Sequence, residues 1–149
     1  MFITNHALAG ALIGRALGRP GPAFALGVAS HVGMDMVRHY GREDMPWDEF
    51  VEVARVDGLI GLGVCAAALA ASPPRTRVAV AAGIAGACLI DLNKPGRHFL
   101  GRSPFPPALD RFHDRIQNEG DRGSLVEAAV AVALAAALVP RRARRVTAA

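Results

Sequence analysis

The sequence predicts an all-α protein, a single domain over its 149 residues, built as an integral membrane bundle of about five short transmembrane helices with a polar His/Asp cluster at one membrane face. Three observations carry this reading. Five apolar stretches alternate with breaks rich in Pro and Gly. When those stretches are threaded alternately through a bilayer, every acidic residue and every histidine falls on one side. And "SHVGMDMVRHYG", residues 30–41, places His31, Asp35 and His39 four residues apart at the end of an apolar run, which on a helix makes one polar stripe.

The apolar stretches cover residues 2–18, 22–37, 55–72, 77–92 and 123–139. The first begins "MFITNHALAGALIGRALG", with Gly10, Gly14 and Gly18 at every fourth position, a spacing that lets membrane helices approach closely. "GRALGRPGP" ends it, because Pro and Gly stop helices. The second runs into the His31–Asp35 stripe, and "RHYGREDMPWDEFVEVAR" separates it from the third. "SPPRTR" parts the third from the fourth. A long polar loop, 92–123, follows and contains a short amphipathic helix in "DRFHDRIQNEG". The fifth stretch leads to a basic tail at 140–149. Each stretch holds only 16–18 residues, the short limit for a hydrocarbon core of about 30 Å. An Ala-rich soluble bundle therefore remains an alternative on length alone.

The sorting of charge separates the two. With the N-terminal side called A and the other B, side B receives Arg15, Arg19, Arg75, Arg77, Arg141, Arg142, Arg144 and Arg145. Side A receives all 13 acidic residues, all five histidines and the other nine basic ones. A soluble bundle has no reason to exclude carboxylates from one end. The basic residues of side B stand uncancelled against the segment ends, above all "RRARR", which places the C-terminus in the cytoplasm by the positive-inside rule. The +4 net charge and pI near 10 come without a basic helix face interleaved with aromatics, so the expected partners are membrane lipids and not nucleic acid. No signal peptide is expected. Cys65 and Cys88 lie inside apolar runs at different depths and are expected as unbridged, buried thiols.

Under this topology side A gathers His6 from the first segment, His31 and Asp35 from the second, Asp57 from the third, Asp91 from the fourth, and His113 from the loop. Ionisable groups at membrane depth are costly and mark function. Imidazole and carboxylate donors suit a divalent metal, zinc first, with manganese or iron as alternatives. His6, His31, Asp35 and Asp91 are the metal-ligand candidates, and Asp57 and His113 the acid–base candidates. Each has a structural alternative. Asp57 suits the first turn of a helix, Asp91 can pair with Lys94 or Arg97, and His31 with Asp35 can be a buried hydrogen bond. His39 and His98 read as solvated loop residues. There is no phosphate-binding Gly loop and no Gly-x-Ser-x-Gly elbow.

"TNHALAGALIG", "GVASHVGMD" and "LIDLNKP" together resemble the small bacterial inner-membrane proteins described as membrane-bound metal-dependent hydrolases, the YdjM-like group. The resemblance covers about the first two thirds of the chain. It implies a multi-pass inner-membrane location, and it carries polar roles onto His6, His31, Asp35 and Asp91. The chain departs from the group in having Asp91-Leu92-Asn93 where an Asp-x-Asp pair is usual, and in lacking a His-Arg-Gly-x-Thr-His stretch. The expected function is a membrane-embedded metal-dependent hydrolase acting on a lipid or other amphiphile, a phosphoester among the candidates. The alternatives are a non-catalytic membrane scaffold or accessory protein with a structural His/Asp cluster, and a soluble helical bundle carrying the same site.

Overall fold

The computed structural model describes residues 1–41, 45–120 and 123–139; the basic tail, and with it the sequence argument for a cytoplasmic C-terminus, lies outside them. The described residues form seven α-helices and no strand: α1 (Ile3–Leu17), α2 (Pro20–Asp35), α3 (Trp47–Ala71), α4 (Pro74–Cys88), a 3₁₀ turn (Ile90–Leu92), α5 (Asn93–Leu100), α6 (Pro107–Ile116) and α7 (Gly123–Leu138). The all-α expectation holds.

Local chemistry sets most boundaries. Pro20, Pro74 and Pro107 open α2, α4 and α6, where a fixed φ suits the helix and the missing N–H has no partner to lose. Gly18 ends α1 in the left-handed conformation at φ 63°, its N–H donating to the Gly14 carbonyl over 2.9 Å, and so caps this helix instead of extending the glycine stripe. α3 starts at Trp47, eight residues before the apolar run at 55, because Asp48 and Glu49 in its first turn complement the helix dipole. The loop 92–123 holds two helices, not one. α5 was not legible as a helix, since its eight residues include both a proline and a glycine.

α4 lies against both α1 and α2, and α1 also touches α3 and α7. The α1–α4 contact is backbone to backbone: a Cβ added at Gly10 would overlap the Gly83 carbonyl, and one at Gly14 the Ala79 carbonyl. Gly27 of α2 meets Gly83 in the same way. Ala7, Ala11, Val80 and Ile84 form the small apolar core, with Cys65 and Cys88, both free thiols, packed against it.

α1 and α7 run parallel. At one end Phe2, just before α1, and Asn5 of α1 meet Glu127 of α7; at the other, Arg15 donates to the Leu138 carbonyl over 2.6 Å. Arg77 likewise donates to the Leu69 carbonyl at the end of α3. These arginines therefore satisfy orphaned carbonyls at helix C-termini.

Small apolar residues share the interior with a large polar group, and many large apolar side chains stand on the exterior. Among the largest fully buried side chains only Val80 is apolar; the others are His6, His31, His39, His113, Asn5, Asn93 and Asp35. Leu59 and Leu62 of α3 and Leu125 of α7 are 65–79% exposed. α3, with 25 residues and a mean hydropathy of 1.7, is long and apolar enough to cross a membrane, yet only 6% of its most apolar window is buried. The five-span expectation meets a limit here. α1, α2, α4 and α7 have 15 or 16 residues each, a rise of about 22–24 Å. α4 reaches spanning length only together with the segment Ile90–Leu100, across a 55° bend.

A candidate metal centre at one end of the bundle

Four elements deliver the cluster. α1 supplies His6 one turn from its start. α2 supplies His31 and Asp35 in its last two turns, on one face because they are four apart. The 3₁₀ turn after α4 brings Asp91, and α6 brings His113, with Gln117 following four residues on. A short backbone ladder fixes α6 to the end of α2: Asn118 N–H donates to the Asp35 carbonyl and His39 N–H to the Asn118 carbonyl, each over 3.0 Å.

Asp35 is the hub and is fully buried. Its Oδ2 lies 3.1 Å from His31 Nε2 and 3.3 Å from His113 Nε2, and the two imidazole nitrogens are 3.3 Å apart. These three atoms form a nearly equilateral triangle. Donors bound at about 2.0 Å around a tetrahedral ion are separated by about 3.3 Å, so the triangle fits three ligands of one zinc-sized ion with a fourth position open. The His31 tautomer sharpens the point. Nδ1 donates to the Ala87 carbonyl over 2.8 Å, which leaves Nε2 of the neutral ring as a lone pair aimed at a carboxylate oxygen. Two acceptors face to face require a cation, either a proton on the ring or a metal. An outward N–H bonded to a backbone carbonyl is the usual support of a metal-binding histidine.

Gln117 Nε2 donates to Asp35 Oδ2 over 2.7 Å and sits 2.8 Å from His113 Nε2. Asn93 sets its amide 3.1 Å from His113 Nδ1 and leaves its own Oδ1 buried without a partner. The same Nδ2 donates to Asp110 Oδ1 over 3.3 Å, so the amide bridges His113 and Asp110. Asp110 holds it there, taking hydrogen bonds from Ser103 and Asn93 and an ion pair from Arg97. Desolvation opposes its charge, but these three partners together hold the Asp110 carboxyl below its ordinary range.

A second donor group adjoins the first: His6, His31 and Asp91 offer ligand atoms within 4.8 Å of one another. His6 Nε2 is 3.1 Å from Asp35 Oδ1 and 3.8 Å from Asp91 Oδ2. The amino nitrogen of Met1 lies 2.6 Å from Asp35 Oδ1, and Lys94 Nζ lies 2.9 Å from Asp91 Oδ1. Of the two pairings open to Asp91, Lys94 is realised, while Arg97 turns to Asp110.

The structure thus brings together His6, His31, Asp35, Asp91 and His113, and sends Asp57 elsewhere. Asp57 receives the backbone N–H of Ile3 over 2.6 Å and of Thr4 over 3.3 Å, capping α1 from α3; its carboxylate lies outside the donor cluster, on the wall of the cavity that Asp91 also lines. His113, expected as an acid or base, is one corner of the donor triangle. His39 is buried and not solvated: Nδ1 donates to the Val37 carbonyl, and Nε2 lies 3.1 Å from Gln117 Oε1. His98 is exposed on α5, its ring 5.4 Å from that of Trp47. Sequence reasoning missed Asn93 and Glu127. The single carboxylate inside an otherwise apolar α7 was the available signal for the latter.

A cavity of about 640 Å³ opens beside the cluster between the start of α3, the start of α1 and α5, lined by Phe2, Trp47, Phe50 and Phe99 and by charged residues that include Asp91, Lys94, Asp57 and Arg55. Comparison with protein-family models, with curated proteins and with solved structures gives no match to this chain.

Proposed function

We propose that this chain is a metal-dependent hydrolase embedded in a bacterial inner membrane, in which His31, Asp35 and His113 hold a divalent ion, zinc first, and a lipid or other amphiphile is the substrate. The observation that carries the metal is the triangle of His31 Nε2, His113 Nε2 and Asp35 Oδ2, with edges of 3.1–3.3 Å, together with the His31 tautomer set by Ala87. Membrane placement is supported by the many large apolar side chains on the exterior, by the apolar and exposed α3, and by the resemblance to the YdjM-like hydrolases. The amphiphile is supported by the cavity, which is lined by aromatic side chains together with the charged Asp91 and Lys94.

When bound, a divalent ion supplies Lewis acidity toward water and toward an ester oxygen. The protein does the rest. Gln117 and Asn93 orient Asp35 and His113, Lys94 balances Asp91, and the buried setting keeps bulk water from the donors. Binding energy from the substrate's apolar part is available to place its polar head beside Asp91.

One observation favours the non-catalytic reading. Asp35 already receives the Met1 ammonium, His6 and Gln117, so the cluster can be satisfied without metal as a structural polar plug. Metal analysis of the full chain, purified in detergent without chelator, decides between them. The hydrolase reading expects at least one zinc-class ion per chain, lost in Asp35→Asn while helicity is kept. A metal-free wild type overturns it.

A further inference from the structure

We propose that α5, α6 and the first turns of α3 form a platform that lies in the headgroup layer of the bilayer and binds anionic phospholipid; this rests on the membrane placement above and not on the metal. α3 fixes the level. Its 25 residues rise about 37 Å, about 7 Å beyond a hydrocarbon core of about 30 Å. The excess falls at the polar end, where Asp48, Glu49 and Glu52 stand ahead of the apolar run at 55–72. Trp47 opens this end and is 59% exposed, at the level where tryptophans gather on membrane proteins.

Ring and charge contacts hold the two short helices at the same level. The Trp47 ring lies 5.4 Å from that of His98 on α5. Arg97 of α5 in turn pairs with Asp110 of α6 over 3.2 Å and with Asp114 over 3.8 Å. Both helices are polar in sequence yet leave large apolar side chains open. Leu92 and Phe99, seven residues apart and so on one face, are exposed, Phe99 by 77%. On α6 the exposed Phe112 shares an edge with Leu109 and Ile116, and Arg111 and Arg115 occupy the next. Short helices with an open apolar edge and basic residues beside it suit the plane of the membrane interface.

Charge then identifies the partner. Lys94 is taken by Asp91, and Arg97 by Asp110 and Asp114. Arg102, Arg111 and Arg115 are exposed and have no ion pair or hydrogen bond among the described residues. Arg111 and Arg115 stand four apart, on one helix face. Unpaired guanidiniums beside open apolar side chains match a surface that offers phosphate oxygens above acyl chains, and a guanidinium takes phosphate through two parallel hydrogen bonds. A zwitterionic lipid cancels its phosphate with its own amine, so the complement of these three cations is a lipid with net negative charge.

Trp47 is the single tryptophan of the chain, so its fluorescence reads this level directly. The full chain is reconstituted in vesicles of equal phosphatidylcholine and phosphatidylglycerol and exposed to lipids brominated at shallow or deep acyl positions, or to aqueous acrylamide. Shallow bromines should quench Trp47 most, deep bromines and acrylamide only weakly. After extraction into detergent, mass spectrometry of the retained lipid should show phosphatidylglycerol preferred over phosphatidylcholine by about fivefold or more, the effect of one arginine near an anionic surface. The preference should fall toward one when Arg102→Gln, Arg111→Gln and Arg115→Gln are combined. Acrylamide quenching without lipid quenching, in a chain that stays with the vesicles through an alkaline wash, overturns the platform and leaves the membrane placement standing. A chain washed off the vesicles overturns both. Strongest quenching by deep bromines overturns the headgroup level, and equal retention of the two lipids by wild type overturns the anionic partner. Wild type alone decides each of these outcomes, so a poorly folding variant cannot rescue the idea.

Discussion

His31 Nε2 lies 3.1 Å from Asp35 Oδ2 one helical turn away, while the other ring nitrogen is committed to the Ala87 carbonyl on a neighbouring helix. The pair is held from both ends of the imidazole, so its geometry is set by the packing of α2 on α4 and not by side-chain freedom. A lone pair so fixed against a carboxylate calls for a cation.

Ligands of one ion should fail together. His31→Ala and His113→Ala should each remove most of the bound metal, and the double variant should be scarcely worse than the poorer single one. Metal content and the metal-induced rise in melting temperature read this out. Additive losses would place one of the two histidines outside the site.

Asp57→Ala should act as the loss of a cap, lowering stability by about 0.5–2 kcal/mol while bound metal stays at the wild-type level. Thermal melts in detergent paired with metal analysis check both halves. Loss of metal with unchanged stability would return Asp57 to the site.

Close helix contact predicts a contrast between glycines. Gly10→Ala pushes a methyl group into the Gly83 backbone and should cost about 1–3 kcal/mol or more. Gly58→Ala, with nothing within 4 Å of the added carbon, should be neutral or raise stability by about 0.5–1 kcal/mol through helix propensity. Equal effects at the two positions would mean that α1 and α4 are not packed this closely.

The membrane arrangement makes its own prediction. On a cysteine-free background, Met45→Cys and Phe105→Cys should react with an impermeant maleimide from the same side of the membrane, and Thr76→Cys from the other. Labelling of all three from one side would rule out alternating spans.

Asp110 yields a pH prediction with a definite sign. Its carboxyl is held low in the folded protein by Ser103, Arg97 and Asn93 against desolvation, so its contribution is full above the unfolded value, near 3.9, and is lost as pH falls below it through the folded value. Melting temperatures of wild type and Asp110→Asn should therefore differ at pH 7 and converge as pH falls below about 3.9. A gap that persists at low pH would show that the charge is not what anchors α6.

The sequence by itself determined what local periodicity controls. The five apolar runs became α1, α2, most of α3, α4 and α7, with Pro or Gly standing at most of the breaks between them. His31 and Asp35 share a face because the helix repeat puts residues four apart together. The tertiary structure decided the rest. His113, in a polar loop, reaches the donor triangle only because Asn118 pairs with the Asp35 backbone and folds α6 back over the end of α2. Asp57 could cap its own helix or serve chemistry; the exposed N–H groups at the start of α1 claimed it. His39 lost its solvent to Gln117, and Gly18 left the packing stripe to end a helix. Apart from Gly18, whose capping bond is to Gly14 of its own helix, each of these outcomes depends on which orphaned donor or acceptor from a distant segment arrives at hydrogen-bonding distance, and no spacing within a single segment encodes that.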